Sequence, residues 1–266
     1  MALTIYPLNP AYGTGVFRRR LRLVGDEVSV TAVLNDDFHS MWCRIGHDGT
    51  TVRSVEADTI RIPKTTCPGA VVPLQELVGT ALNSDRKSFY GSGRAGRNCT
   101  HLLDLARLAI QRAGRGRFTQ IFDIVLPDAV DDDTVVQLFI DGVLAYDWAL
   151  HEDVIVAPAA FAGRRLFAGF AEWAGSQFEG DALDSALMIQ KAYFVARGRR
   201  YIFDQQGAAT SLEPDREGRC FTFSEPQFSV AHDMIGYVRD YSKGLGEILP
   251  PHLRARIFTS VSEKLS

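Results

Sequence analysis

The sequence has little of three things that would narrow its class: cysteine, long apolar runs and an excess of charge of one sign. Its four cysteines, at positions 43, 67, 99 and 220, include no Cys-x-x-Cys pair, which fits neither a disulfide framework nor a standard zinc finger. No apolar run reaches the roughly 18 residues of a membrane span, so we expect no membrane partner. The net charge of −3 gives no general attraction to nucleic acid, and we expect no nucleic-acid partner.

The start of the chain is expected to carry no targeting segment. Residues 1–7 lack both the basic region and the apolar region of a signal peptide. Together with the unpaired cysteines, this indicates a reducing cytoplasm. What is present is ordinary globular composition, 266 residues of which 46% are hydrophobic and 23% charged, which is enough to bury a core.

Hydrophobic periodicity predicts an α+β fold. Residues alternate in polarity through four strands before residue 62, and an Asp141-Gly142 turn predicts a hairpin in the second half. Strands and helices segregate along the chain, which favours antiparallel sheets with helices packed on one face, in two halves of similar size, 1–116 and 117–266. Later strands are predicted at 118–126, 134–140 and 143–150, and helices from about Pro73 and at 99–113, 164–175, 181–197, 228–242 and 251–264.

The start of the helix at 99–113 carries the most chemistry. Cys99 and His101 open this apolar helix, and Asn98 is its predicted N-cap. The free amides and positive dipole end of a helix favour anions, and Arg94 and Arg97 add positive charge, so we expect a Cys99 thiolate. Cys99 and His101 lie about 200° apart around a regular helix, so they converge only through the open helix end. The alternative is a buried cysteine beside a capping or solvent-exposed histidine.

A second histidine is predicted to face the interior. His39 has the same strand parity as Met41 and Ile45, and two aspartates at 36–37 precede it. A lone histidine on an apolar strand face is more often a core group than a functional one. If His39 met Cys67, Cys99 and His101 in space, the four would supply plausible zinc or iron ligands.

The glycine-rich segment 91–96 matches the dinucleotide fingerprint literally, but the match is weak. The helix begins after the last glycine, and the neighbouring elements do not form a βαβ unit. A loop that binds a carboxylate, phenolate or phosphate is a better use of these residues, and a flexible solvated loop is an equal alternative.

Other aromatic and histidine positions are expected to be structural. An aromatic series is interpreted mainly as core rather than as a pocket for a flat ligand: Phe161, Phe167, Phe170, Trp173 and Phe178. No function is predicted for the histidines in turns or polar contexts: His47, His151, His232 and His252.

Four segments of the first half carry distinctive motifs: Phe38–Arg44, Thr66–Pro68, Leu74–Gly79 and Asn98–Leu105. Together they resemble the bacterial domain of unknown function 2889 family. The family pattern has a His-Asp-Met strand motif, a lone Cys before a Leu-x-x-Leu-x-Gly helix, and a Gly-Cys-Thr-His-Leu helix start. The resemblance covers about residues 15–115. Ser40 and Asn98 replace the family's Asp and Gly, so a role of that Asp in orienting a histidine is not carried over.

The resemblance implies a site around His39, Cys67, Cys99 and His101. Members of the family resemble the products of accessory genes of aromatic and acyl catabolism. This resemblance implies that the protein is an enzyme that acts on a small molecule. A fainter similarity is to iron–sulfur scaffold proteins, which also pair a loop cysteine with a helix-start cysteine.

We therefore predict a cytoplasmic lyase that breaks a carbon–carbon bond of an aromatic or conjugated acid in a retro-aldol step, without a cofactor or with zinc or iron. His39 and His101 are the predicted acid–base pair, assisted by Cys99. The predicted substrate-binding residues are Arg94, Arg97, Trp42 and Tyr90. One alternative is a non-catalytic metal- or iron–sulfur-binding protein that uses His39, Cys67, Cys99 and His101. Another is a homo-oligomeric module that binds an aromatic ligand.

Overall fold

The computed structural model describes residues 6–245, 249 and 251–262. Its centre is one eight-stranded antiparallel sheet of order β4-β3-β2-β1-β5-β6-β7-β8. The strands are β1 (Val16–Gly25), β2 (Ser29–Asp36), β3 (Ser40–His47), β4 (Val52–Arg61), β5 (Phe118–Pro127), β6 (Asp133–Ile140), β7 (Val143–His151) and β8 (Val154–Ala157). The sheet and the helices around it confirm the predicted α+β class.

Strand β1 shows how the alternating sequence becomes a two-faced sheet. Phe17 and Leu21 lie on the inner face, because residues two apart point the same way. Arg19 has the same parity and is buried with them, only 2% exposed. A charge buried this deeply needs a partner, and its partner is part of the site described below.

Strands of the two halves of the chain lie in the same sheet. Strand β1 pairs along its whole length with β5, with Leu21 opposite Phe122. The two hairpins β6–β7 and β7–β8 extend the sheet from there. The short strand β8 at the edge was not predicted from the sequence.

Two long helices cover the inner face of the sheet. Helix α3 packs against β2 and β3, and α5 contacts β5 and β6. Helix α8 packs on the opposite face, where Ile257 contacts Val33 and Trp42. The helices are α1 (Arg86–Tyr90), α2 (Arg94–Arg97), α3 (Thr100–Arg112), α4 (Phe170–Gln177), α5 (Gly180–Ala196), α6 (Ala209–Leu212), α7 (Gln227–Val230) and α8 (Pro251–Ser262). None of the helices in the described ranges has the length and apolar character needed to cross a membrane.

The helix predicted from Pro73 takes a tighter form. Two short 3-10 helices, Cys67–Val71 and Pro73–Leu77, replace it, and prolines stand in the first turn of each. Further 3-10 turns are Ala159–Phe161, Arg197–Arg200, Pro214–Arg216 and Phe221–Phe223. Leu74 and Leu77 are buried, whereas Val78 is half-exposed.

The predicted helix at 228–242 is wrong, because long-range hydrogen bonds take its backbone amides. The N–H groups of Met234 and Arg239 donate to the carbonyls of Pro63 and Asp37. Gly236 adopts a φ of +69°, which a helix does not allow. At the C-terminus, α8 agrees with the predicted helix at 251–264 as far as residue 262, and residues 263–264 lie outside the described residues.

Candidate functional site

Two histidines from different elements meet at the inner face of the sheet. His39 lies in the turn before β3, and His101 lies in the first turn of α3. Because α3 packs directly on β3, the two rings come together with their centroids 4.1 Å apart and their planes 31° from parallel. Sequence spacing could not determine this distance, and the structure places both side chains within one site.

The turn that carries His39 is built by Asp36 at the end of β2. The Oδ1 atom of Asp36 accepts the backbone N–H of Phe38 at 2.8 Å and that of His39 at 2.7 Å, which closes the β2–β3 hairpin. The same oxygen lies 3.1 Å from Nδ1 of the His39 ring. One carboxylate therefore both shapes the turn and orients the imidazole.

A buried arginine keeps Asp36 ionised. Arg19 donates to Asp36 Oδ2 from Nε at 2.9 Å and from Nη2 at 2.5 Å. Burial acts to raise the pKa of Asp36, but the charges of Arg19 and His39 outweigh it and hold this pKa well below its usual range. A carboxylate accepts hydrogen bonds only, so the His39 ring carries a proton on Nδ1 and presents Nε2 to the site.

His101 is held as a neutral base. Burial, followed by the charge of neighbouring His39, lowers the pKa of His101 well below its ordinary value of 6.5. Its Nε2 atom is buried and has no hydrogen-bond partner within the described residues. A buried polar atom without a partner is uncommon in folded proteins, and at a cavity wall it favours a ligand contact.

Both rings lie on the wall of a cavity of about 570 Å³. Three cysteines line the same cavity: Cys67, Cys99 and Cys220. The structure therefore places the four residues that the sequence singled out, His39, Cys67, Cys99 and His101, around one cavity. Cys220 was not predicted, because it comes from a turn some 120 residues further along the chain and no local motif marks it.

The thiols of this cavity are protonated, which corrects the expectation of a Cys99 thiolate. Burial raises the pKa of Cys99 to about 12 and that of Cys67 to about 11. The helix-start amides near Cys99 act in the opposite direction, but their effect is smaller than that of burial. Cys99 is itself the N-cap residue of α3, and the Asn98 side chain donates instead to Glu76 and to the carbonyl of Arg94.

The raised pKa of Cys99 gives a direct expectation for alkylation. At pH 8 the thiolate fraction of Cys99 should be at least about a hundredfold smaller than that of an ordinary cysteine, because only the thiolate reacts. Iodoacetamide should therefore modify native Cys99 at least about a hundredfold more slowly than Cys99 in urea-unfolded chain. Mass spectrometry of timed digests measures both rates. Equal rates would contradict a raised pKa of Cys99 in the folded protein.

Two predicted substrate-binding arginines point away from the cavity. Arg94 and Arg97 both pair with Glu76, with nitrogen–oxygen distances of 3.4 and 3.1 Å. Arg94 also donates to the carbonyl of Phe89 at 2.6 Å. The segment 86–97 thus folds into two short helices whose Arg94 and Arg97 are engaged by Glu76, and it does not clamp an anion at the histidines.

The two predicted aromatic contacts also lie elsewhere. Trp42 is on the outer face of the sheet, because its parity is opposite to that of Met41, and it packs under α8. Tyr90 borders a smaller neighbouring cavity, and its hydroxyl donates to Asp104 Oδ1 at 2.7 Å.

The aromatic residues expected in the core are found mostly there. Edge-to-face contacts connect several of them to the buried Trp148 or to one another: Phe161, Phe170, Trp173 and Phe178. Phe167 differs, since it lies on the wall of the large cavity.

Positive charge reaches the cavity from the second half of the chain. Lys191 lines it and pairs with Asp104 at 2.9 Å. Arg216 pairs with Glu213 at 3.1 Å. Arg219 is exposed at the cavity wall and makes no ion pair with any described residue. Sequence reasoning missed these residues, although two arginines within four positions of Cys220 offered a signal.

The residues of the cavity do not fit a metal ion. Within the described ranges, no group of three or more histidine, cysteine or acidic side chains is placed to hold one. His39 Nδ1 is engaged by Asp36, and the Cys67 sulfur accepts a hydrogen bond from Thr222 Oγ1 at 3.2 Å. We therefore assign no step to a metal.

The comparison with protein families bears on the first half of the site. The family model described as "Protein of unknown function (DUF2889)" matches residues 24–113. This segment runs from the end of β1 to the end of α3 and includes both histidines, Cys67 and Cys99. Arg19 and the cavity residues Lys191, Arg216 and Arg219 lie outside it. No curated protein matches the chain. The match confirms the resemblance to this family that the four sequence segments indicate, over residues 24–113.

Proposed function

We propose that this protein is an acid–base enzyme, a lyase that breaks a carbon–carbon bond of an aromatic or conjugated acid in a retro-aldol step. The observation that carries the proposal is the neutral His101, with its unpartnered Nε2, beside the carboxylate-oriented His39 at a cavity wall. General acid–base catalysis needs such groups within hydrogen-bond reach of the reacting atoms. The cavity volume of about 570 Å³ suits a small-molecule substrate.

The proposed step balances without an oxidant or a second substrate. The substrate carries a hydroxyl group on the carbon β to a conjugated carbonyl group. His101 takes the hydroxyl proton, the carbon–oxygen double bond forms, and the carbon–carbon bond breaks with its electron pair moving into the conjugated system. A proton then returns from the histidine pair to the carbon. The low pKa of His101 favours this return, because its protonated form is a strong acid for an imidazolium.

The charges at the cavity support an anionic substrate. Arg219 is the cavity cation whose charge no described acidic side chain compensates, so it is the group we assign to a substrate carboxylate. Arg216 lies 5.6 Å from the ring centroids of both Phe194 and Phe223. A cation between aromatic faces is held in place, and the same faces offer apolar contact to an aromatic ring.

We also propose that the reaction takes place in the cytoplasm. The four cysteines are free, and three of them line the cavity close to one another. Neighbouring free thiols persist most readily in a reducing compartment.

A defined probe tests the proposed reaction. The compound 4-(3-hydroxybutanoyl)benzoate combines a carboxylate, an aryl ketone and a β-hydroxyl group, and retro-aldol cleavage converts it to 4-acetylbenzoate and acetaldehyde. We expect the protein to form both products in equal amounts. In D₂O the acetyl methyl group should contain one deuterium, because the carbon takes its proton from the histidine pair. Proton NMR measures both results.

Two outcomes would contradict the proposal. Saturable binding of the probe without aldehyde formation would favour a binding module over a lyase. Failure of the probe to bind or react would contradict the assigned substrate class. Elemental analysis of the purified protein serves as a further check, since a stoichiometric zinc or iron that is lost in a Cys99→Ser variant would support the metal-binding alternative.

A further inference from the structure

A second chamber is also lined by His101. It has a volume of about 250 Å³, and it shares Thr100, His101 and Lys191 with the large cavity. His101 therefore borders both spaces.

The walls of this chamber are mainly apolar. It lies between the inner face of the sheet and helices α3 and α5. Its aliphatic lining residues include Leu21, Leu34, Leu105, Leu108, Leu187 and Met188. A charged group placed among them would lose its hydration without compensation, whereas an apolar group would gain from leaving water.

Most of the charges at the rim of the chamber already have partners. Asp104 accepts from Tyr90 and pairs with Lys191. Asp184, which is 5% exposed, pairs with Arg112 at 3.1 Å. These pairs satisfy the acidic side chains of the chamber, and Arg86 stacks on the Tyr90 ring at 4.4 Å.

Arg107 is different, because one of its donors is left over. This side chain lines the chamber and is 7% exposed. Its Nη1 donates to the carbonyl of Ser84 at 2.7 Å, but Nε is buried and has no partner within the described residues. An unpaired buried donor is costly, and an acceptor oxygen on a ligand would satisfy it.

We infer that this chamber binds an uncharged, apolar arm of the substrate, with Arg107 Nε donating to one oxygen atom on that arm. Calling the ligand a substrate arm rests on the proposed function, but the binding site itself does not. The substrate then spans His101, with its anionic end near Arg219 in the large cavity and its neutral end in the chamber. Arg107 is on this assignment a specificity residue that does not touch the reacting atoms.

Three fluorinated probes test the chamber without any turnover. They are 4′-fluoroacetophenone, which has one acceptor oxygen, 4-fluorotoluene, which has none, and 4-fluorobenzoate, which is charged. Fluorine NMR line broadening gives the Kd of each for the full-length protein. We expect the ketone to bind about tenfold more tightly than the toluene, which is the effect of one hydrogen bond.

Three variants then locate the bound ketone. Leu187→Trp fills the chamber and should abolish ketone binding. Phe167→Trp narrows the large cavity only, and it should leave ketone binding within about twofold. Arg107→Lys keeps the charge but lacks Nε, and it should weaken ketone binding about tenfold while leaving the toluene unchanged.

The outcomes separate this inference from the proposed function. Ketone binding that survives Leu187→Trp overturns the chamber assignment, and an unchanged Kd in Arg107→Lys overturns the role of Arg107. If the lyase assay fails while the probe results hold, only the proposed function is contradicted. The preference for an uncharged arm is contradicted if 4-fluorobenzoate competes equally with 4′-fluoroacetophenone for the chamber of the Phe167→Trp variant. This holds even if the protein is active as a lyase.

Discussion

Replacement of His101 by alanine is expected to lower kcat for the cleavage of 4-(3-hydroxybutanoyl)benzoate by about 10²–10⁴, which is the usual cost of losing an acid–base group. The reason is that His101 is the neutral imidazole whose Nε2 has no protein partner at the cavity wall. Steady-state rates of 4-acetylbenzoate formation measure the effect. KM should change much less than kcat, because the substrate carboxylate is held by other residues.

The control for this variant is a histidine outside the site. His151 is exposed and pairs with Asp133 at 2.8 Å, and His151→Ala should leave kcat unchanged. In the double variant His39→Ala/His101→Ala, kcat should be at most about threefold lower than in His101→Ala alone. The reason is that the effects of two residues that act together are not additive. An unchanged kcat in His101→Ala would remove this residue from the mechanism.

The pH dependence of kcat/KM gives the same assignment a second readout. His101 must be neutral to take a proton, and its pKa is lowered from 6.5. The acid limb of the profile should therefore lie below pH 6.5, and activity should persist at pH values where an unperturbed histidine is already protonated. In His101→Ala this limb should disappear, whereas in His151→Ala it should remain.

Local sequence patterns predicted the parts of the site that lie on regular elements. The parity of His39 with Met41 placed it on the inner side of the sheet, and the apolar spacing of 99–113 placed His101 on the first turn of a core helix. These predictions work because strand and helix periods fix which side chains share a face. The same parity argument also predicts an inward Arg19, since it lies two residues from Phe17 and Leu21, but charge alone suggested exposure.

Residues that depend on long-range packing could not be predicted in this way. Arg94 and Arg97 looked like an anion clamp because Glu76, which neutralises them, lies about twenty residues earlier and meets them only in the folded chain. Arg219 and Cys220 reach the cavity from a turn near the end of the chain. No local period encodes such an approach, so only the three-dimensional structure identifies the cationic side of the site.

The largest effect on stability is expected from Asp36→Asn. The free energy of unfolding should fall by about 3–5 kcal/mol, because the variant leaves the Arg19 charge buried without its counterion. An amide cannot replace the carboxylate here. One side of Asp36 receives the N–H groups of Phe38 and His39, and the other side receives Arg19, so the NH₂ group of asparagine faces donors in either orientation. Urea unfolding curves measure the change.

The neighbouring strand position supplies a matched control. Arg20 lies next to Arg19 on the opposite face of β1, and it pairs with Asp123 at 2.5 Å in a partly exposed site. Ion pairs with access to water contribute about 0–1 kcal/mol, so Asp123→Asn should cost no more than that. Similar losses of unfolding free energy in Asp36→Asn and Asp123→Asn would mean that burial does not increase the contribution of the Arg19–Asp36 pair to stability.

The pH dependence of the difference between wild type and Asp36→Asn follows from the lowered pKa of Asp36. A carboxyl group whose pKa is lower in the folded state than in the unfolded state contributes its full stabilisation above the unfolded pKa, which is about 4. Below that pH the unfolded chain takes up a proton that the folded chain does not, and the stabilisation is progressively lost. The difference in unfolding free energy should therefore be constant from pH 7 to about 5 and shrink on further acidification. A difference that grows on acidification would contradict an ionised Asp36, and with it the argument that His39 is oriented by a carboxylate.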